Sequence, residues 1–191
     1  MDIIGSEIHR LDRVVQVLVD FTRPVELHLR EFDLRRILED VTALAQPEAE
    51  TRGVHIERSF PRESVPVNVD VDLIKQAVLN VMLNGVQAMP KGGNLRVSVS
   101  RKNGSAVAEI QDQGIGIPEE MREKIFTLYF TTKKAGSGIG LAMAYRVMQL
   151  HHGFVDFRPA PTQGTTFELS LPLHSPRLEA TPAAAAPRSR I

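Results

Sequence analysis

The stretch from Asp112 to Leu141, DQGIGIPEEMREKIFTLYFTTKKAGSGIGL, constrains this chain more than any other. Two glycine-rich turns, DQGIG and GSGIG, flank a short helix-like run and a basic segment. Asp112 closes the alternating run Ala106-Val107-Ala108-Glu109-Ile110-Gln111, so its carboxylate falls where a strand ends and a cleft can begin. Gly114 and Gly116 allow a sharp turn and a close approach to a flat ligand, because neither carries a Cβ. Gly136, Gly138 and Gly140 run into Ile139 and Leu141-Ala142-Met143-Ala144-Tyr145, which reads as a helix. A glycine loop that feeds a helix N-terminus can hold phosphate, since free N–H groups and the helix dipole both favour an anion. One turn suited to a base and one suited to phosphates imply a nucleotide site, although either alone would be an ordinary turn.

A metal end for such a site lies upstream. Asn80 and Asn84 are four residues apart on one face of a helix predicted from Leu73 to Met89. Asparagine is a mediocre helix former, so two in an apolar helix need a reason. A carboxamide oxygen suits Mg²⁺, which reaches proteins through few side chains plus phosphate oxygens.

Several classes are excluded by composition. The absence of cysteine removes disulfides, thiolate metal sites and cysteine catalysis. With 23 basic against 23 acidic residues, no Trp and two Tyr, neither a charge coat nor an aromatic platform for nucleic acid is expected. No apolar run reaches the roughly 18 residues of a membrane span and no signal pattern appears, so a cytoplasmic location is expected; membrane anchoring of a longer parent is left open.

Taken in order, Ile4, Ile8, Leu11, Val15 and Leu18 form a coiled-coil-like seam, widened by Val14, Val17 and Phe21. This predicts a bundle helix over 3–21 that self-associates and stops at Arg23-Pro24. Strands are predicted at 25–30, 54–58, 65–69, 95–99, 106–111, 154–157 and 165–171. Pro66 marks the third as an edge strand, and Asn103-Gly104 marks a hairpin. Asp33 and Asp70 are predicted N-caps, the first for a helix with Leu34, Ile37, Leu38, Val41 and Leu44 on its apolar face. The order predicts an α+β fold, a two-layer sandwich with a mixed sheet, helices on one face and the extra N-terminal helix. The expected divisions are 1–23 for the partial bundle helix, 24–173 for the globular domain and 174–191 for a disordered Ala/Pro-rich tail.

These motifs resemble those of sensor histidine kinases. Residues 76–89, QAVLNVMLNGVQAM, are similar to the asparagine box, DQGIGIP to the first glycine box, IFTLYFTTKK to the phenylalanine box, and GSGIGLAMA to the second glycine box. GTTFELSLP resembles the closing strand, and the likeness covers about residues 25–172. The wider GHKL superfamily, with gyrase, MutL and Hsp-type chaperones, shares the fold. EIHRLDRVVQVLVDFTRP resembles the second helix of the dimerisation and phosphotransfer domain, and the short lid resembles nitrogen-regulator-type kinases.

The resemblance implies ATP and Mg²⁺. It implies that Asn84 holds Mg²⁺ with support from Asn80, and that Asp112 accepts a hydrogen bond from the adenine amine. Gly114 and Gly116 would lie against the base, with Thr165 or Thr166 completing its contacts. Gly136, Ser137, Gly138, Ile139, Gly140 and Leu141 would line the triphosphate. Phe126 and Phe130 would anchor a lid, mobile from Thr127 to Ala135, that includes Thr131 and Thr132; Lys133 or Lys134 would reach the γ-phosphate. Phosphoryl transfer is largely positioning and charge neutralisation, so these parts suffice and no residue is assigned as catalytic. The implied partners are a phosphotransfer helix of a kinase chain and a response regulator.

Two departures stand out. Some members carry Lys three residues after the metal Asn, where this chain has Gln87. No acceptor pattern surrounds His9, so the phosphoacceptor is expected on a helix outside the chain, which alone should not autophosphorylate. His151-His152 read as a pair at a helix C-terminus, favoured there by the dipole. The competing readings are a gyrase- or MutL-type ATPase, an anti-sigma-type serine kinase, and a silent nucleotide-binding regulatory module. The ATPases place Glu where this chain has Asn80, which cannot accept a proton from water.

Overall fold

Strand β1 (Arg30–Asp33) hands directly to helix α1 (Leu34–Thr51) through Asp33, whose carboxylate accepts from the Arg35 amide as an N-cap. Burial works against that charge, but hydrogen bonds from the Arg35 guanidinium and the amides of Val65 and Arg35 overcome it and hold the pKa at about 2. The computed structural model describes residues 26–133 and 136–173. The predicted bundle helix over 3–21, His9, Lys134 and the predicted tail over 174–191 lie outside the described residues.

The remaining elements are β2 (Val54–Ser59), β3 (Pro66–Val69), α2 (Val71–Gln87), β4 (Gly93–Lys102), β5 (Ser105–Gln111), a 3₁₀ turn (Glu119–Lys124), α3 (Gly140–Leu150), β6 (Phe154–Pro159) and β7 (Thr165–Pro172). Five strands form one sheet in the order β2-β4-β5-β7-β6. It is mixed: β2 runs parallel to β4, and every other pairing is antiparallel. Asn103 and Gly104 take positive φ values of 50° and 79° in the β4–β5 hairpin, as an Asn-Gly two-residue turn requires.

Alternation of side chains places the layers. Leu95, Val97 and Val99, Ala108 and Ile110, and Phe167, Leu169 and Leu171 are buried on one sheet face, the face against which α1, α2 and α3 pack. The opposite face carries ion pairs instead, including Arg96–Glu57 at 3.3 Å and Arg158–Glu109 at 2.7 Å. The predicted two-layer sandwich with helices on one face is what the chain adopts.

Three local expectations are corrected. The first strand is shifted from 25–30 to Arg30–Asp33 and lies outside the main sheet, paired only with β3. Beyond Arg30 its partner has ended, and the His28 amide donates instead to Asp70 Oδ2 at 3.0 Å. Leu44 is 62% exposed, and Ala45 takes the inward place. The helix turns about 100° per residue, so with Leu34, Leu38, Val41 and Ala45 inward, residue 44 falls off the stripe. His151, predicted as a cationic residue at a helix end, is only 5% exposed. Its Nε2 accepts from the Asp70 amide at 3.0 Å while Nδ1 donates to the Val147 carbonyl at 2.8 Å. The ring thereby ties the end of α3 to the start of α2. Asp70 itself caps α2 as predicted, accepting from the Leu73 amide.

Candidate nucleotide cleft

Between α2, the 3₁₀ turn and the start of α3 lies a cleft of about 790 Å³. Asn80, Asn84, Asp112, Gly116, Phe130, Thr131, Thr132, Lys133, Gly136, Ser137, Gly138, Gly140, Leu141 and Thr165 all line it, so most of the predicted ligand residues converge.

Asp112 stands at one end, 2% exposed. Its backbone N–H donates to Thr165 O at 2.9 Å, continuing the β5–β7 pairing by one residue. Oδ1 accepts from the Gly114 amide at 2.8 Å and the Thr165 amide at 3.2 Å. That leaves Oδ2 as the oxygen available to a ligand's N–H. Burial pushes the carboxyl pKa up, and the amides of Gly114 and Thr165 and the charge of Lys133 only partly offset it. A desolvated acceptor held rigidly at a strand end is suited to recognising one donor, such as an exocyclic amine. Around it the wall is apolar, with Leu83, Ile117, Met121, Ile125 and Phe167. Sequence patterns do not reveal this wall, because Met121 and Ile125 belong to the 3₁₀ turn and its exit.

At the other end α3 opens with no side-chain cap on its N-terminus. Its first amides are thus left for an external acceptor. Gly138, at φ 68°, could carry no Cβ, which would strike the Tyr129 backbone. The Tyr129 amide donates to Gly138 O at 2.9 Å, so the lid base and the second glycine turn are laced together. Asn80 packs on that turn, its carboxamide 3.5 Å from where a Cβ of residue 140 would stand.

Lys133 reaches across the cleft. Its Nζ donates to Asn84 Oδ1 at 2.6 Å and to Gln87 Oε1 at 2.9 Å. Burial and the nearby charge of Arg52 pull its pKa down, opposed by Asp112. Asn84 therefore presents an oxygen already placed for a cation. Among the described residues no three His, Asp or Glu side chains converge as a metal cage. A divalent ion here would rest on Asn84 and on oxygens of the ligand, a donor set that fits Mg²⁺.

Four predicted contacts do not line the cleft. Gly114 turns its Cα against Ala88, whose carbonyl a Cβ would strike, so its role is to seat the turn on α2. Thr166 lies on the opposite sheet face from Thr165, as strand alternation requires, and its buried Oγ1 has no partner. Ile139 precedes α3, its amide donating to Ser137 Oγ at 3.4 Å. Phe126 stacks on Tyr145, with centroids 5.4 Å apart, and meets Phe157 edge-on, anchoring the lid base from behind. Arg52 and Gln87 are the polar residues that sequence reasoning did not place in the cleft. Gln87 was legible in principle, three residues after Asn84 on the same helical face; Arg52 was not.

The fold is a two-layer α+β sandwich whose cleft brings together one deeply set carboxylate, the Asn84 carboxamide and an uncapped helix end. Residues 69–175 match the family described as histidine kinase-, DNA gyrase B-, and HSP90-like ATPase, and the chain belongs to that family. Sporulation kinase A of Bacillus subtilis (strain 168) is 30% identical over 172 residues, covering 90% of this chain and 28% of that protein. The signal transduction histidine-protein kinase AtoS of Escherichia coli (strain K12) is 33% identical over 175 residues, covering 91% of this chain and 29% of that one. The chain thus spans under a third of the length of these two relatives. Among solved structures, the catalytic domain of histidine kinase ThkA aligns with a TM-score of 0.70 at 25% identity, over 76% of this chain and 96% of that domain. Among the described residues no helix is long and apolar enough to cross a membrane.

Proposed function

We propose that this chain binds ATP with Mg²⁺ and serves as the catalytic domain of a two-component sensor histidine kinase. It passes the γ-phosphoryl to a histidine on a helix outside the chain, for onward transfer to a response regulator. The observation that carries the reading is one cleft lined by Asp112, by Asn84 and by the uncapped start of α3. The relatives' names support it.

In this reading Asp112 Oδ2 accepts from the adenine amine, and the apolar wall covers the base. Thr165 holds Asp112 in place through its amide. The amides of Gly140 and Leu141 and the Ser137 hydroxyl take the phosphate oxygens. Asn84 would hold Mg²⁺, whose charge would offset that of the phosphates, and Lys133 supplies a cation for the γ-phosphoryl. Among the described residues no side chain in the cleft is positioned as a base for water: Asn80 stands where a hydrolysing relative needs a carboxylate, and Asp112 is held by two amides at the base end. That favours transfer over hydrolysis and disfavours the gyrase-type alternative. Self-association through residues 3–21 and a boundary near residue 23 belong to the same proposal.

The test mixes the chain with a separately purified phosphotransfer hairpin and γ-labelled ATP. Acid-labile label on the hairpin histidine is expected, with little on the chain itself. Asn84→Ala should abolish both labelling and the Mg²⁺-dependent part of ATP binding by calorimetry; ATP binding that keeps its full Mg²⁺ dependence removes the metal assignment.

A further inference from the structure

Lys133 does something the phosphate role does not require. Its ammonium shares Asn84 Oδ1, at 2.6 Å, with the position a divalent cation would need, and Gln87 Oε1 holds it there from a second side at 2.9 Å. The contact is built from helix α2 and the lid. The Lys133 amide donates to Thr131 Oγ1 at 3.1 Å and its carbonyl accepts from the Gly136 amide at 3.0 Å, so the backbone of the lid is folded to deliver the side chain.

Two cations cannot use that oxygen together. Mg²⁺ sits about 2.0–2.1 Å from its oxygen ligands, which would leave it within a few ångströms of a parked ammonium. Repulsion at such a distance in a partly desolvated site far exceeds thermal energy. Occupation by Lys133 and by a metal is therefore exclusive. Resting on the nucleotide reading above, we propose that Lys133 is a built-in competitor for the metal at Asn84, and that Gln87 is the latch that parks it.

The device sorts nucleotides by phosphate count. Any metal-bound nucleotide must displace the ammonium, but only a triphosphate offers it a new anionic partner at the lid. A diphosphate displaces Lys133 without compensation, so the lysine's return to Asn84 and Gln87 favours release of ADP. A ligand gains net affinity only for the state it stabilises, and here that state is the one with Lys133 swung out. Gln87, an amide where relatives can carry a lysine, thus becomes a specificity-determining residue rather than a lost cation.

The test is calorimetry on the full chain with ADP and with a non-hydrolysable ATP analogue, each titrated across Mg²⁺ concentration, for the original chain, Gln87→Met and Lys133→Met. Thermal melts of the ligand-free proteins establish that each folds. Gln87→Met should tighten Mg·ADP by roughly threefold to tenfold, the factor for one net hydrogen bond, lower the Mg²⁺ midpoint, and leave metal-free ADP binding unchanged. Lys133→Met should also tighten Mg·ADP while erasing the preference for the triphosphate. Mg·ADP affinity within twofold of the original in Gln87→Met, or weakened in Lys133→Met, overturns the inference while leaving the nucleotide site standing. An original chain that binds neither nucleotide removes both.

Discussion

Asp112→Asn separates recognition from folding because the two roles fall on different oxygens. Oδ1 already accepts from the amides of Gly114 and Thr165, at 2.8 and 3.2 Å. An asparagine keeps those bonds by placing its oxygen there, which turns its NH₂ toward the ligand. A donor then faces the adenine amine; flipping the amide only moves the clash to the two backbone N–H groups. Losing one buried hydrogen bond and leaving a mismatched group costs about 1–3 kcal/mol, or roughly fivefold to 150-fold in Kd. Calorimetric titration with Mg·ADP at pH 7 measures this. The ligand-free fold should respond in the opposite sense. Burial raises the Asp112 pKa above its unfolded value, so the native state holds more protons than the unfolded one as pH rises past the ordinary carboxylate range. Stability from this group is full below that range and is lost as pH climbs through the folded pKa. Asparagine has no such titration. The variant should melt above the original chain at pH 7, with the difference narrowing as pH falls toward 4. Unchanged Mg·ADP affinity, or a melting difference that does not depend on pH, would refute the division of labour between the two oxygens.

Asp33→Ala removes an N-cap and the partner of Arg35, and should cost about 1–2 kcal/mol in urea unfolding at pH 7. Because the Asp33 pKa is depressed to about 2, its contribution is present above the ordinary carboxylate range and lost as pH falls from about 4 to 2; the gap between variant and original should close over that interval. Gly138→Ala forces a Cβ into the Tyr129 backbone at a positive φ. The free chain should relieve the clash by parting the lid base from the glycine turn, which spares the melting temperature, and ATP binding must then restore the strained turn; about 1.4 kcal/mol for that step weakens affinity tenfold, and full retention of affinity would show that the lid base need not be laced to the glycine turn. Phe126→Ala should cost about 3 kcal/mol of stability and leave the base-end contacts of Asp112 intact, read as an unchanged preference for ADP over GDP.

Much of the site was legible in local pattern. Asn80 and Asn84 share a helical face because four residues make about one turn, and Asp112 follows a strand-like run that alternates toward its end, so both positions follow from local pattern. The caps Asp33 and Asp70 and the Asn103-Gly104 hairpin are likewise short-range chemistry. Pattern failed where the deciding partner was distant. The strand expected at 25–30 moved because β3, more than 30 residues away, ends opposite Arg30. His151 read as a cation at a helix end because nothing nearby in sequence reveals the Asp70 amide that fills its Nε2.

The chain's own residues thus determined the elements, their order and which side chains could meet a base, a metal and phosphates, since backbone period and capping act within a few positions. Tertiary structure alone decided what each group does there. It set Gly114 against Ala88 rather than a ligand, turned Thr166 to the far face of the sheet, and folded the lid so that Lys133 spans 49 positions to the oxygen of Asn84. Those outcomes depend on packing between segments remote in sequence, where a few tenths of an ångström decide between a contact and a clash.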